Sequence, residues 1–449
     1  MKRMNLKYIL ILLGVMTMTI SFNSCKDDNN SGGGNSLAPT ITAVYLEDAQ
    51  SSVTDRKVDF LRLGQTIRLE GANFLGISKV LVNGYDCYFN PTLVTNTSMI
   101  FTVFQTTGTA SIYTDPSVNN TIAIVKNGQT VSIPFDVRSS APTITSISHT
   151  MPQAGEQITV YGTGLQGITS VTFPGNVVVT DGIVSDDEAG TFFEVTVPQG
   201  VSDNGGSILA IGANGGAFSP ADFNFKPGLL YNFDDATLNQ NWSWGSGIDN
   251  TALTDLIPTT GTGPKSQGGY SVFNSTGDLA AGNVQKFWLN STNVQKTMSA
   301  LPASLSTDSC GIQMDIYVDG AWNSGIIRFV MADGYGNSRY CMVYQPVYLN
   351  NSTYSPSAFV NPGSWFTITL PFSNSSDFAG KTLGDVIAQM AAATYQQCGP
   401  FFENSGLVDA NNNSIFDAVP ATEKIYFDNI RVVSLSTPTY SDFPDDTTN

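Results

Sequence analysis

The chain has 449 residues, a hydrophobic fraction of 41%, and 20 Lys and Arg against 37 Asp and Glu, for a formal net charge of -17. Its length exceeds one ordinary domain of roughly 100 to 200 residues, and its apolar content is enough for packed cores. The acidity repels polyphosphates, which excludes nucleic acid as a partner, and it opposes adsorption to anionic lipid, so any membrane attachment needs a specific anchor.

Lys2, Arg3 and Lys7 precede Tyr8 to Ile20, an apolar run too short to span a bilayer. This layout predicts a signal peptide over residues 1–24. Ser24 then stands directly before Cys25, which is followed by Lys26-Asp27-Asp28 and Ser31-Gly32-Gly33-Gly34. The segment resembles a lipobox in the looser form familiar in the Bacteroidetes, with Phe22 and Asn23 in place of the usual aliphatic and small residues. The Lys-acidic run resembles the signal those bacteria use to send lipoproteins to the outside of the outer membrane. The resemblance implies a lipid on Cys25, an extracellular-facing lipoprotein, and a flexible tether over 25–37.

Two repeats follow. Ala38-Pro39-Thr40-Ile41-Thr42 returns as Ala141-Pro142-Thr143-Ile144-Thr145, and Gly64 to Phe74 aligns with Gly155 to Leu165. The match extends without a gap through Gly76 to Gly84 and Gly167 to Gly175. Apolar and polar residues alternate between Gly, Pro and Asn, which predicts short antiparallel strands of a sandwich with Ile67, Leu69, Ile158 and Val160 inward. The pattern resembles the IPT/TIG immunoglobulin-like domains, and places two of them at 38–139 and 141–227. Short Pro-containing junctions predict a stacked, semi-rigid spacer. Neither repeat contains Trp, and the lone His149 is expected at the surface or on an edge strand.

Composition changes after Gly228: all five tryptophans lie in the last part. Strands are predicted at Leu229 to Phe233, Gly269 to Phe273, Gly311 to Val318, Gly325 to Met331, Tyr340 to Tyr344, Trp365 to Leu370 and Lys424 to Val433. They make a jelly-roll-like β-sandwich over 228–436, followed by a tail at 437–449. One helix is predicted over Thr382 to Ala393, with Leu383, Val386, Ile387 and Met390 on one face and Asp385 in its first turn. The fold class is therefore all-β.

The strand opening Leu230-Tyr231-Asn232-Phe233-Asp234-Asp235, the segment Trp365 to Pro371 and the closing Ile425 to Val432 resemble carbohydrate-binding jelly rolls. The order of lipobox, acidic export signal, immunoglobulin-like spacers and C-terminal sandwich resembles the surface glycan-binding proteins of Bacteroidetes polysaccharide utilisation loci, with a xyloglucan-binding-type last domain. That resemblance implies a polysaccharide or oligosaccharide ligand, with β-glucans such as xyloglucan or mixed-linkage glucan first, and a neighbouring glycan importer and surface hydrolase as partners.

An indole ring presents a negative face to the C–H face of a pyranose and sheds water from an apolar patch. Trp288 and Trp322, in Asn- and Gly-rich surroundings, are the leading stacking candidates, and their separation resembles that of platform aromatics in the related domain. Trp242 and Trp244 alternate and would share one face of an extended segment. Trp365 starts an alternating strand and is expected in the core. Tyr335, Tyr340 and Tyr344 are secondary contacts. Asp234, Asp235 and Asp428, on the first and last strands, are candidate ligands of a structural calcium ion, with turn capping and salt links as the alternative use of these carboxylates. No other cofactor is called for.

Cys87, Cys310, Cys341 and Cys398 are read as core or disulfide residues, no pairing being assured. With no CxxC and one histidine, ligands for a thiolate or imidazole zinc site are lacking. A glycoside hydrolase needs two positioned carboxylates, yet the last part has only Glu403 and Glu423 as glutamates and no aspartate in a recognisable motif. Capture without catalysis is thus expected, with a hydrolase or a protein-binding surface adhesin as alternatives.

Overall fold

The computed structural model describes residues 37–443 except 49–50, 106, 108–114, 236–237, 239–267, 275–276, 337–338, 347, 351–352, 355–358 and 409–413. The expectations for the leader, Cys25, Trp242 and Trp244 lie outside the described residues. The architecture is all-β sandwich with few helices.

In the first repeat, the sheet Thr40–Leu46, Thr66–Ala72, Ser98–Thr102 packs on the sheet Tyr85–Cys87, Ile77–Val82, Thr121–Lys126, Gln129–Pro134. Alternation sends Ile67, Leu69, Val80, Val82, Ile122 and Ile124 into one core. The second repeat pairs Thr143–Ile147, Gln157–Thr163, Phe192–Thr196 and Val184–Ser185 in one sheet. Its other sheet is Val177–Val179, Ser170–Phe173, Leu209–Gly212 and Gly215–Phe218.

The repeated glycine has a steric cause. A Cβ on Gly71 would lie 1.8 Å from the Thr40 carbonyl oxygen, and one on Gly162 the same distance from that of Thr143. Both glycines face a break in register, between Ile41 and Ala43 or between Ile144 and Ser146. The first strand of each repeat can therefore hug its neighbour only where no side chain intervenes.

The third domain stacks two antiparallel sheets. One runs Leu229–Tyr231, Lys424–Ser434, Cys310–Asp319, Phe366–Pro371, with Ser271–Phe273 also paired to Lys424–Ser434. The other runs Val284–Lys286, Gln397–Glu403, Ile326–Ala332, Cys341–Tyr344. Ile312, Met314, Ile316 and Phe427 from the first meet Phe329, Met331 and Phe402 from the second in the core. The helix Leu383–Ala392 begins with a capping box, Thr382 and Asp385 each accepting from the other's backbone N–H, and buries Leu383, Val386 and Met390.

A second helix, Ser291–Met298, and the strand Gln397–Glu403 were not expected from the sequence. The strand is buried on both faces and contains Gly399 and Pro400, so it shows neither alternation nor ordinary strand composition. The helix is largely polar and is recognisable only by its Asn290 cap and by Val294 and Met298 four residues apart.

All four described cysteines are buried free thiols, so the alternative of a disulfide gives way to core packing. Burial pushes Cys87 and Cys341 up to about 11 and Cys310 to about 12, well away from reactive thiolates.

Beyond the last strand the chain turns back. Ala221 N donates to Ser436 O at 3.0 Å, Tyr440 packs on Phe218, Asp442 accepts from Arg62 at 2.6 Å, and Phe443 stacks on Phe60 at 5.5 Å. Residues 436–443 thus tie the third domain to the second and then to the first, which stiffens the stack beyond what its short junctions provide.

Candidate functional site

The outer face of the five-stranded sheet is set by parity. Along Cys310–Asp319, Ile312, Met314, Ile316 and Val318 point inward, so Gln313, Asp315 and Tyr317 point out. Ile368 and Leu370 face the core, which turns Trp365 and Thr367 outward. On Lys424–Ser434, a register shift at Asn429, whose φ is 48°, keeps Tyr426 and Arg431 on that same outer face.

One half of this face is polar and covered by the second domain. Arg431, fully buried, donates to Asp315 at 2.9 Å, to Thr150 Oγ1 at 2.7 Å and to the Asn429 carbonyl at 2.5 Å. Asp315 also accepts from Thr367 Oγ1 at 2.6 Å and lies 3.3 Å from His149 Nε2. Gln313 donates to Asp222 at 2.7 Å, and Thr367 N donates to Ser148 O at 2.8 Å. His149 is accordingly not a surface or edge residue. It is buried between Asp315 and Glu156, because the second domain's Ser148-His149-Thr150 segment seats on the third domain.

Burial alone would lower the His149 value, but the Asp315 carboxylate and the bond to Glu156 outweigh it and raise the imidazole to about 9. Asp315, despite its own burial, is held below the usual carboxylate range by Arg431 and His149. A raised histidine contributes stability that is complete below its ordinary value of 6.5 and is lost as pH rises through about 9. The depressed aspartate works at the other end, its contribution fading as pH falls below the ordinary 3.8. Thermal unfolding of the chain from residue 26 onward is expected to shift to lower temperature between pH 7 and pH 10. His149→Asn should flatten that limb; an unchanged slope would rule out His149 as its source.

The other half of the face is aromatic. Tyr270, Tyr317, Trp365 and Tyr426 form a four-ring cluster with Val272. Ring centroids are 5.8 Å apart for Tyr270 and Trp365, 5.6 Å for Tyr270 and Tyr426, and 6.1 Å from Tyr317 to both Trp365 and Tyr426. Tyr426 meets Tyr270 and Tyr317 edge to face at 76° and 71°, while Trp365 is tilted against both at 59° and 54°. Trp365 and Tyr317 are half-buried and line a cleft of ≈ 650 Å³ at the junction of the two domains. Such a site offers apolar ring surface beside hydroxyl, amide and carboxylate groups, the combination that polyhydroxylated ligands require.

The tryptophans singled out by their neighbours lie elsewhere. Trp322 is only 1% exposed, packed among Tyr344, Phe359 and Phe402, and its Nε1 donates to Gly325 O at 3.0 Å. Its Asn- and Gly-rich setting is a turn that the indole pins into the core. Trp288 is 4% exposed, against Phe401 at 4.9 Å and Tyr335 at 5.8 Å on the outer side of the four-stranded sheet. Neither offers a flat, open ring, which corrects their reading as stacking platforms. Trp365, expected in the core, stands on the outer face instead. Tyr335 is 42% exposed with Lys286 Nζ over its ring, whereas Tyr340 packs on Phe378 and Tyr344 on Trp322.

Among the described residues, no group of three or more His, Cys, Asp or Glu could hold a metal ion. Asp234 accepts from Gly269 N at 2.6 Å, and Asn232 Oδ1 accepts from the N–H groups of Asp234 and Asp235. Asp428 is buried and accepts from Asn429 N at 2.6 Å; desolvation, with Asp315 and Asp234 nearby, raises it well above the usual range. Turn capping is the use the structure shows.

Residues 223–434 match the family model described as the surface glycan-binding protein B xyloglucan binding domain. An IPT/TIG domain-containing protein of Bacteroides ovatus is 29% identical over 170 residues, covering 36% of this chain and 32% of the relative. The match thus spans about a third of that curated relative's length. Among solved structures, the surface glycan-binding protein PbSGBP-B from Prevotella bryantii aligns with a TM-score of 0.61 at 20% identity, covering 89% of this chain and 100% of that one. This likeness shows a shared fold. An SGBP-B from a complex xyloglucan utilization locus in Bacteroides uniformis aligns with a TM-score of 0.44 at 20% identity, over 89% and 100% of the two chains.

Proposed function

We propose that this surface glycan-binding protein B-like chain captures a polysaccharide at the cell surface without cleaving it, holding the sugar against the aromatic half of the five-stranded sheet. The observation that carries the reading is the pair of half-buried rings Trp365 and Tyr317, backed by the buried Tyr270 and Tyr426 and lying inside the segment matched by a xyloglucan-binding family model, at the edge of a polar-lined cleft. The ring faces supply affinity by shedding water, and neighbouring polar groups read the hydroxyls. β-Glucans, xyloglucan or mixed-linkage glucan, are the ligand class the family match favours, and a neighbouring hydrolase and importer are the partners such capture would serve.

The lipobox-like Cys25 and the Lys26-Asp27-Asp28 run support attachment to the outer membrane facing outward. The two Trp-free domains then set the binding domain away from the lipid, where several weak contacts along one polymer gain avidity.

Affinity electrophoresis and calorimetry of the chain from residue 26 onward, against xyloglucan, mixed-linkage β-glucan and mannan, test this reading. Retardation by a β-glucan without release of reducing ends is expected. Trp365→Ala should weaken binding about 30-fold, the ~2 kcal/mol of an aromatic hot spot. Free mobility in every gel would reject glycan capture, and reducing ends would favour a hydrolase.

A further inference from the structure

We infer that the second immunoglobulin-like domain is more than a spacer and supplies one wall of the sugar site, with Tyr161 as its stacking ring and Gln157 as its polar contact. The inference rests on the glycan reading above and extends it to a residue set outside the matched segment.

The cleft is lined from both sides. The third domain contributes Tyr317, Ser364 and Trp365; the strand Gln157–Thr163 of the second contributes Gln157, Thr159 and Tyr161. Ile158 and Val160 fill the core of the second domain, so the alternate positions must look out toward the cleft. Tyr161 is 43% exposed, a large ring left in water on an otherwise polar strand face. Its counterpart in the first repeat by alignment is Gly71-preceding Glu70, so the ring is not a requirement of the repeat.

The wall is also held still. Tyr161 is paired with Ser146 in the ladder, Ser148 N donates to Thr159 O at 2.8 Å, and Ser148 O accepts from Thr367 N at 2.8 Å. Thr367 lies two residues beyond Trp365. A short run of backbone bonds therefore links the two aromatic walls, and the buried Arg431, Asp315 and His149 cluster prevents the domains from hinging apart at this point. A preformed cleft does not require domain closure on binding, which lowers the cost of association. Its volume of ≈ 650 Å³ falls within the range of about 300 to 1,000 Å³ usual for small-ligand sites. A sugar chain of the class the family match favours would then pass between rings contributed by both domains, instead of lying on one open sheet.

The test is calorimetric titration of the chain from residue 26 onward, all three domains present, with a xyloglucan oligosaccharide and a mixed-linkage glucan oligosaccharide. Wild type is compared with Trp365→Ala, Tyr161→Ala and the double variant Gln157→Ala/Tyr161→Ala. Both Gln157 and Tyr161 are exposed, so unfolding temperatures should stay at the wild-type value. Tyr161→Ala should weaken binding of the better ligand about fivefold to tenfold, and the double variant further. Wild-type affinity in both second-domain variants, with binding lost in Trp365→Ala, would overturn this inference and leave glycan capture by the third domain intact. No binding by wild type would instead overturn the glycan reading, and equal binding by all four proteins would overturn both site assignments.

Discussion

Replacing Arg431 by Met is expected to destabilise the unit formed by the second and third domains by about 3 to 5 kcal/mol, the usual result of leaving a buried charge without its partner. The guanidinium is fully buried and holds Asp315, Thr150, Gln313 and the Asn429 carbonyl at once. Without it, Asp315 retains His149, Thr367 and Asn429 but loses its permanent counter-charge. Two of the groups involved, His149 and Thr150, belong to the second domain, so the loss should loosen the interface as well as the sheet. Urea unfolding measures the first effect, and cleavage by a protease near the 222–229 junction measures the second. Adding Asp315→Leu to Arg431→Met should recover part of the loss, because the remaining charge is then gone too. A change under about 1 kcal/mol in the single variant would mean that water replaces the guanidinium and that the cluster does not hold the domains together.

Alternation told the sandwich architecture from the sequence because each strand with one wet face leaves a period of two. It is visible in Ile67 and Leu69, again in Ile158 and Val160, and in the long strand Cys310–Asp319. It failed at Gln397–Glu403, where both faces are covered. The same parity holds at the site: with Ile316 and Val318 inward, Tyr317 must be outward, and with Ile368 and Leu370 inward, so must Trp365. Neighbour composition is a poorer guide, as Trp322 shows, since Asn and Gly mark a turn without saying which way its large residue points. The second domain's share in the cleft was not legible at all. His149 and Thr150 meet Asp315 and Gln313 of the third domain across more than 150 residues of chain, and Tyr161 lines the same cleft as Tyr317 and Trp365.

Trp322→Ala is expected to cost about 3 to 5 kcal/mol of stability, as emptying a large aromatic site in a core does. It would also leave the Gly325 carbonyl without the indole N–H, and free the turn that carries Asn323, whose Nδ2 donates to Pro420 O at 3.1 Å and whose N donates to Glu423. Trp322→Phe keeps most of the packing and loses the hydrogen bond alone, so it should cost less. Affinity for a β-glucan, measured at a temperature where each variant is fully folded, should remain within about threefold of wild type in both. This sets Trp322 apart from Trp365, whose removal is expected to do the reverse: it sits half-buried at the rim of the cleft, so the loss should fall on binding and only slightly on unfolding. If Trp322→Ala abolished binding while leaving the unfolding curve unchanged, the indole would have to leave the core to meet the sugar, and the assignment of the site to the opposite sheet would fall.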